Sequence, residues 1–267
     1  PNGDPIGGVV GFLQTMNKLC RQVRPDLFVV VWDGDGGSNK RRQQNKNYKV
    51  GRKPPKLNRW SQNMNPAEIH TNRIWQQVRC IEYVNQTPII QFRQPSVEAD
   101  DVIAYIKSMP LFNEWQKVVV SSDKDFIQLQ KYKNVSQYSP ITKKFVNGID
   151  PDRYLAEHIL RGDTSDGVPN VLSPDNTFVD GLRQKPLSKK KVAAWIDNEM
   201  KDVLPNDEAL RNFQRNRKLI DLTESPKDLF VDIIKQYQNT PESDRSKLLN
   251  YFIEKRLNEH LENIGDF

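Results

Sequence analysis

Cysteine and histidine are both scarce in this 267-residue chain. The two cysteines, Cys20 and Cys80, stand far apart among apolar neighbours, and the sequence contains no CxxC pair. Isolated cysteines of this kind favour a reducing compartment and ordinary core packing. The three histidines are scattered along the sequence, so we do not expect a zinc site.

Long hydrophobic runs are also missing. No apolar stretch approaches the roughly 20 residues needed to span a bilayer, and no signal-peptide pattern is visible. Apolar residues make up 36% of the chain, and its mean hydropathy is −0.74. The sequence therefore predicts a cytoplasmic protein without membrane partners, with a core of adequate size and a very polar surface.

Basic residues outnumber acidic ones, 40 to 34, which gives a formal net charge of +6 and a pI near 9.2. A basic balance favours a polyanionic partner, although a soluble protein can be basic without binding one. Positive charge is concentrated between residues 40 and 59, where no acid occurs. The basic residues there are Lys40, Arg41, Arg42, Lys46, Lys49, Arg52, Lys53, Lys56 and Arg59.

Hydrophobic periodicity predicts strands alternating with helices up to about residue 150 and helices alone after it. This order is typical of an α/β domain, residues 1–150, followed by a helical extension, residues 151–267. The strands are short and nearly all apolar, as in a mostly parallel central sheet that helices flank on both faces. The predicted elements of the first part are a helix over 6–24, a strand over 27–32, a helix from about 66 to 83, a strand over 88–92, a helix over 96–108 capped by Ser96, a strand over 117–122, a short helix over 124–130 and a hairpin or edge strands over 135–146.

Acidic residues follow the predicted buried strands. They are Asp33, the block Glu98, Asp100 and Asp101, the pair Asp123 and Asp125, and the pair Asp163 and Asp166. Residues just past parallel strands collect along one edge of a sheet, and carboxylates gathered there suit Mg²⁺ or Mn²⁺. Each taken singly has a plain explanation, as a helix cap for Asp125 or as turn residues elsewhere. Their joint occurrence favours a metal centre.

These blocks resemble the 5′ nuclease superfamily, which includes flap endonucleases and the 5′-nuclease domains of bacterial DNA polymerases. The matching motifs are Asp33, Glu98-Ala99-Asp100-Asp101, Asp123-Lys124-Asp125 and Gly162-Asp163-Thr164-Ser165-Asp166. The stretch SSDKDFIQLQKYKNVSQYSP is most similar to the T-even bacteriophage ribonuclease H branch. The resemblance covers nearly the whole chain and implies a PIN-like nuclease core with a helical DNA-binding extension.

The resemblance implies a site for two Mg²⁺ ions, which Mn²⁺ can replace, about 3.5–4 Å apart. Glu98, Asp100 and Asp123 lie nearest one ion in such a site, with Asp33 alongside. Asp125, Asp163 and Asp166 then lie toward the second ion, and Asp101 supports the set. Family members often bind a monovalent ion at a Gly-rich helix-turn-helix. Residues 168–174 lie at this position here and lack the later glycines, so the resemblance neither implies nor excludes a monovalent ion.

The basic segment resembles the family's helical arch, inserted here over residues 38–65, which closes over a single-stranded 5′ end. Lys49 and Arg52 are then the candidate catalytic cations, and Tyr48 is available to stack on a base. The candidate nucleic-acid contacts are Arg41, Arg42, Lys46, Tyr48, Lys53, Lys185, Lys189, Lys190 and Lys191. The implied substrates are branched or nicked duplex DNA with a 5′ single strand and RNA–DNA hybrid primers.

The implied activity is that of a monomeric 5′→3′ exonuclease and flap endonuclease that removes RNA primers, with replication proteins as further partners. If the protein is viral, it acts in the host cytoplasm, near the nucleoid. Family members begin with a strand ending in a metal-binding Asp, whereas this sequence starts at Pro1, and Asp4 is a poor substitute. We expect the natural chain to begin earlier. The alternatives are a PIN-like RNA nuclease and an inactive DNA-binding homologue without that strand.

Overall fold

The structure is a computed structural model, and it describes residues 5–50, 63–225, 231–240, 245–256 and 261. Part of the expected arch, including Arg52 and Lys53, lies outside these residues. The described α-helices are α1 (Gly7–Val23), α2 (Asn39–Gln44), α3 (Pro66–Val84), α4 (Ala99–Lys107), α5 (Pro151–Arg161), α6 (Lys189–Ile196), α7 (Met200–Val203), α8 (Asp207–Ile220), α9 (Val231–Gln238) and α10 (Arg245–Glu254). The strands are β1 (Val29–Trp32), β2 (Ile90–Arg93), β3 (Lys117–Val120), β4 (Val135–Ser139) and β5 (Lys144–Phe145).

The α/β class expected from the sequence is confirmed, but the described strands form two small sheets instead of one. Strands β1 and β2 make a two-stranded sheet, and β3, β4 and β5 make a three-stranded one. Strand β3 runs parallel to β4, while β5 is antiparallel to β4, as the predicted hairpin requires. Short 3₁₀ helices occur at Pro110–Phe112, Lys124–Lys131 and Leu222–Glu224. No helix within the described ranges has both the length and the apolar character needed to cross a bilayer.

The chain divides into two compact units, and the first comprises Pro1–Val30, Pro54–Phe92 and Ile234–Phe267. In its described part, α1 packs against α3. The side chain of Gln76 accepts hydrogen bonds from the backbone of Gly8 and Val9, which satisfies donors at the start of α1. The ring of Tyr83 stacks on that of Phe252 at 5.6 Å, which ties α3 to α10.

The second unit comprises Val31–Lys53 and Arg93–Ile233. One helical core of this unit includes Leu160, Val171 and Trp195. Asn216 on α8 is fully buried and donates to the carbonyls of Ile159 and Pro169, each at 2.9 Å. Because buried amides need partners, these bonds fix the loop after α5 against α8.

The end of β1 approaches the end of β2 because residue 34 is glycine. A Cβ on Gly34 would lie 1.7 Å from the carbonyl oxygen of Gln94, so no other residue fits this contact. Gly34 also donates its N–H to the carbonyl of Val97 at 3.1 Å. The approach places Asp33 beside the acidic block at residues 98–101.

Helix α4 begins at Ala99, later than predicted, and the expected Ser96 cap is wrong. Ser96 has a left-handed φ of 63°, and Glu98 occupies the N-cap position without a side-chain capping bond. Instead, Asp33 Oδ1 accepts the backbone N–H of Ala99 at 2.9 Å. A carboxylate from a distant part of the sequence therefore satisfies one donor at this helix start.

We predict that Gly162→Ala destabilises the protein more than Gly148→Ala. Both glycines have positive φ values, 68° and 77°, but a Cβ at residue 162 would lie 2.3 Å from the carbonyl oxygen of Val168, whereas residue 148 faces open space. Gly162 also has a ψ of −177°, a backbone region that L residues avoid, so the clash and this strain should make its loss larger by about 1–3 kcal/mol in the free energy of unfolding. Urea titration measures it, and equal losses would show that the loop relaxes without cost.

Candidate metal centre

All eight predicted acidic ligands lie in the second unit. We call Glu98, Asp100 and Asp101 the inner carboxylates, since they surround the buried start of α4. The side chains of Glu98 and Asp101 are 10% and 2% exposed, and that of Asp100 is 23% exposed. Asp100 and Asp101 lie in the first turn of the helix, where the helix dipole favours negative charge.

Cations from the basic segment neutralise the inner carboxylates. Arg41 Nη1 lies 2.5 Å from Glu98 Oε2, and Lys49 Nζ lies 2.6 Å from Glu98 Oε1. Lys40 Nζ lies 3.4 Å from Asp101 Oδ1. Burial alone would raise the pKa of Glu98, but Arg41, Lys49 and a hydrogen bond from Ser38 outweigh it and lower that pKa to about 2. Glu98 is therefore ionised over the whole physiological range.

The turn after α2 carries Tyr48 and Lys49 onto this cluster. The hydroxyl of Tyr48 lies 3.0 Å from Glu98 Oε2 and 2.8 Å from Asp166 Oδ2, so it bridges two acidic blocks. Lys49 Nζ is 3.5 Å from the same Asp166 oxygen, and the backbone N–H of Lys49 donates to the Asp166 carbonyl. Tyr48 is 2% exposed, so in this conformation its ring is not available for stacking on a base.

A second group contains Asp125, His158 and Asp163, and we call it the outer group. One ligand atom from each residue lies within 4.8 Å of the others. His158 Nδ1 is 3.3 Å from Asp125 Oδ1, and His158 Nε2 is 3.8 Å from Asp163 Oδ2. His158 Nδ1 is buried and has no hydrogen-bond partner with acceptable geometry in the described part of the chain.

Three different elements hold the outer group. Asp125 lies in the 3₁₀ helix after β3, and Asp123, not Asp125, is the N-cap that accepts the Asp125 N–H at 3.0 Å. His158 lies on α5, and Asp163 follows the Gly162 that ends this helix. Asp163 Oδ1 anchors its own loop by accepting from Ser165 N and Oγ, both at 2.7 Å. Its other oxygen faces His158.

The outer acids repel one another. Burial, followed by the negative charges of Asp123, Asp163, Asp100 and Asp166, raises the pKa of Asp125 to about 8. Burial also raises the pKa of Asp100 and of Asp166, against the opposing effects of Arg41 and Lys49 respectively. The mutual effect of these charges shows that the inner carboxylates and the outer group form one electrostatic centre.

This donor set fits a divalent cation. Carboxylate oxygens suit Mg²⁺ and Mn²⁺, and an imidazole nitrogen is an accepted ligand of Mn²⁺ and later transition metals. The excess negative charge around Asp125 and the unpaired Nδ1 of His158 are both relieved when a cation binds. The residues present therefore suit a divalent cation, and the assignment of each predicted acid as a ligand stays a prediction.

The remaining predicted site residues lie around this centre. Asp33 and Asp123 are exposed, and each caps a helix start through one carboxylate oxygen. Arg41 is 3% exposed, unlike most of the basic residues predicted to contact nucleic acid. The exposed ones are Arg42, Lys46, Lys185, Lys189, Lys190 and Lys191.

Sequence reasoning missed His158 because the three histidines were scattered along the chain. A signal was nevertheless present, since His158 stands four residues before Gly162 at the end of a helix. A spacing of four residues is about one helical turn, which places the imidazole next to the Gly-Asp loop.

The chain belongs to the 5′-3′ exonuclease family. The family model for the 5′-3′ exonuclease N-terminal resolvase-like domain matches residues 1–158, and the model for the C-terminal part of T4 RNase H matches residues 151–267. Ribonuclease H of Enterobacteria phage T4 is 30% identical over 67% of this chain and 61% of its own length. Flap endonuclease Xni of Shewanella sp. MR-4 is 30% identical over 58% of this chain and 56% of its own. The chain thus matches less than two thirds of either relative.

Solved structures of the bacteriophage T5 enzyme share the fold. The T5 protein crystallised with metal ions has a TM-score of 0.63 at 18% identity, covering 98% of this chain and 92% of that one. The T5 flap endonuclease in a pseudo-enzyme–product complex with DNA and metal ions has a TM-score of 0.62 at 18% identity, covering 97% and 91%.

We predict that Asp125→Asn stabilises the metal-free protein. The raised pKa means that Asp125 contributes stability at low pH and loses it as the pH rises through about 8. In EDTA near that pH, the variant should therefore melt above the wild type, and it should gain less from added Mg²⁺. Differential scanning fluorimetry measures both effects.

The exposed Asp26→Asn is the matched control, because it removes the same charge from a residue of the first unit. This variant should have the melting temperature of the wild type both in EDTA and with added Mg²⁺. A lower melting temperature for Asp125→Asn in EDTA would contradict the repulsion described above.

Proposed function

We propose that this protein is a divalent-metal-dependent, structure-specific 5′ nuclease: a 5′→3′ exonuclease and flap endonuclease that hydrolyses DNA phosphodiesters and removes RNA primers during replication. The observation that best supports the proposal is that acidic residues from separate parts of the chain lie in one unit. The charges of Asp100, Asp123, Asp163 and Asp166 all act on Asp125. The names of its relatives, a ribonuclease H and a flap endonuclease, support the proposal.

The inner carboxylates Glu98 and Asp100, with Asp33 and Asp123, would hold one Mg²⁺. The outer group would hold a second, with Asp166 beside it. Bound divalent ions activate water at neutral pH and stabilise charge on the departing oxygen. Asp101, the most deeply buried of the three inner carboxylates, supports the others, since its partners are Arg41, Lys40 and Ser225.

Lys49 is the described cation best placed to act on a phosphodiester. Its ammonium lies between Glu98 and Asp166 and is 17% exposed, so it borders the acidic centre from the solvent side. We assign it the role of stabilising negative charge on the scissile phosphate, together with Arg52. Lys49 has a left-handed φ of 57°, a strained conformation often found at functional sites.

Exposed basic residues would bind the phosphate backbone. Arg42 and Lys46 are exposed on the segment that carries Arg41 and Tyr48, and Lys53 is assigned with them from the sequence. Lys189, Lys190 and Lys191 form the first turn of α6, where the helix dipole disfavours cations and a phosphate would offset that cost. Lys185 precedes them in an exposed loop. The expected substrates are nicked or branched duplexes with a 5′ single strand and RNA–DNA primers, with replication proteins as further partners of a monomer.

We predict that the protein cleaves a labelled 5′ flap with Mg²⁺ and that EDTA abolishes this cleavage. Asp123→Asn should abolish it too, since Asp123 is a proposed ligand, whereas Asp26→Asn should cleave like the wild type. Parallel reactions on a nicked duplex and a single-stranded RNA define the substrate class. Cleavage of the RNA alone would replace the proposal with an RNA nuclease, and binding without cleavage would show an inactive DNA-binding protein.

We predict that His158→Gln and His158→Lys both weaken Mn²⁺ binding by about 10-fold or more, because each removes the imidazole lone pair. Burial lowers the pKa of His158, so the wild-type imidazole is neutral, and the lysine variant adds a positive charge near Asp125 and Asp163 that repels a cation further. The exposed His70→Gln is the control and should bind like the wild type. Isothermal titration calorimetry without substrate measures the affinities. Wild-type Mn²⁺ affinity in His158→Lys would show that His158 is not a ligand.

A further inference from the structure

Two adjacent arginines on the six-residue helix α2 have opposite environments. Arg41 is 3% exposed, whereas Arg42 is exposed and donates from Nε to the carbonyl of Tyr48 at 3.4 Å. A buried guanidinium needs carboxylates and hydrogen-bond acceptors around it. The neighbours of Arg41 therefore indicate what it does.

The guanidinium of Arg41 contacts two adjacent carboxylates and holds one of them, Asp100, in a forked geometry. Nη1 and Nη2 each lie 3.3 Å from one oxygen of Asp100. Nη2 also donates to Asp101 Oδ1 at 3.1 Å, and Nη1 lies 2.9 Å from Asp101 Oδ2 without a hydrogen bond to it. A planar fork can hold both groups at once, whereas the point charge of a lysine cannot.

The remaining contacts of Arg41 complete this arrangement. Nη1 also lies 2.5 Å from Glu98, and Nε donates to the carbonyl of Leu219 at 3.1 Å. Leu219 lies in the last turn of α8, where backbone carbonyls carry partial negative charge. Each nitrogen of the guanidinium is thus engaged inside the protein, with α8 fixing its position from behind.

Exposure increases from Asp101 to Glu98 to Asp100, at 2%, 10% and 23% of the side chain. Asp101 is the most deeply buried of the three, and Lys40 and Ser225 also bind it. Asp100 lies on the accessible side, and its charge acts on Asp125 in the outer group. Arg41 therefore connects a buried structural carboxylate to the two that border the metal centre.

We propose that Arg41 is a positioning residue, whose guanidinium holds Glu98 and Asp100 in the geometry that metal binding requires, and that it does not contact the nucleic-acid backbone. This replaces the role as a DNA contact that the sequence predicted for it. The inference rests on the proposed metal centre, but not on the substrate that the centre cleaves.

Arg41→Lys tests the proposal, because it keeps the charge and removes the fork. We expect its Mn²⁺ affinity to fall by about 10-fold to 100-fold, as for residues that orient metal ligands. Arg42→Lys is the matched control and should bind Mn²⁺ like the wild type. Titration of the free Mn²⁺ signal by electron paramagnetic resonance measures these affinities without substrate. Wild-type affinity in Arg41→Lys would overturn the proposal.

A DNA-binding measurement tests the second half of the proposal. In EDTA, Arg41→Gln, which removes the charge, should bind a fluorescent 5′ flap with the salt dependence of the wild type, as judged by anisotropy. Arg42→Gln is the matched variant and should bind more weakly and with a shallower salt dependence, because it removes an exposed cation. If Arg41→Gln shows the same shallower salt dependence, Arg41 contacts the backbone and the proposal fails.

Asp101→Asn keeps the test available if Arg41→Lys does not fold. This variant removes one carboxylate partner of Arg41 and should also weaken Mn²⁺ binding. Wild-type Mn²⁺ affinity in Asp101→Asn would overturn the proposal. Where both single variants fold, the double variant should lose no more affinity than the worse single one, since the two residues act as a unit. Additive losses would contradict this.

The two proposals can fail separately. A wild type that binds Mn²⁺ and cleaves no nucleic acid would end the nuclease proposal and leave the role of Arg41 intact. A wild type that cleaves flaps, with unaltered Mn²⁺ affinity in Arg41→Lys, would end the role of Arg41 alone.

Discussion

Unequal charge compensation is the constraint on which the rest of the centre depends. The inner carboxylates have Arg41, Lys40 and Lys49 as counter-ions, whereas the outer acids face His158, an imidazole that is neutral at physiological pH because burial lowers its pKa. Buried carboxylates without cations repel one another, as the raised pKa of Asp125 shows. In the proposed metal centre, the protein's own cations stabilise one half, and an external cation would stabilise the other.

Backbone geometry brings these acids together from distant parts of the chain. Gly34 permits the contact that places Asp33 beside α4, and Gly162 turns the chain sharply after α5. The buried amide of Gln137 donates to the carbonyls of Ser121 and Asp123, which fixes the turn that carries Asp125. Rigid supports of this kind hold charges at distances that they would not keep by themselves.

The sequence predicted the α/β class and the acidic blocks because both depend on local patterns. Short apolar strands followed by acids are visible without tertiary information, and so is the helix ending at the Gly-Asp loop. The division into two sheets, the capping of Ala99 by Asp33 and the different burial of Arg41 and Arg42 depend on long-range packing. Helix α2 has six residues and no apolar periodicity. The sequence therefore does not distinguish Arg41, which contacts α4 and α8, from the exposed Arg42.

The most direct measurement is anomalous diffraction at the manganese edge from crystals of the protein grown with Mn²⁺. If the acids converge to hold divalent metal, an anomalous peak will lie between Asp125, His158 and Asp163, with a further peak beside Asp100. A protein saturated with Mn²⁺ whose peaks all lie away from these side chains would contradict the metal centre and, with it, the proposed nuclease.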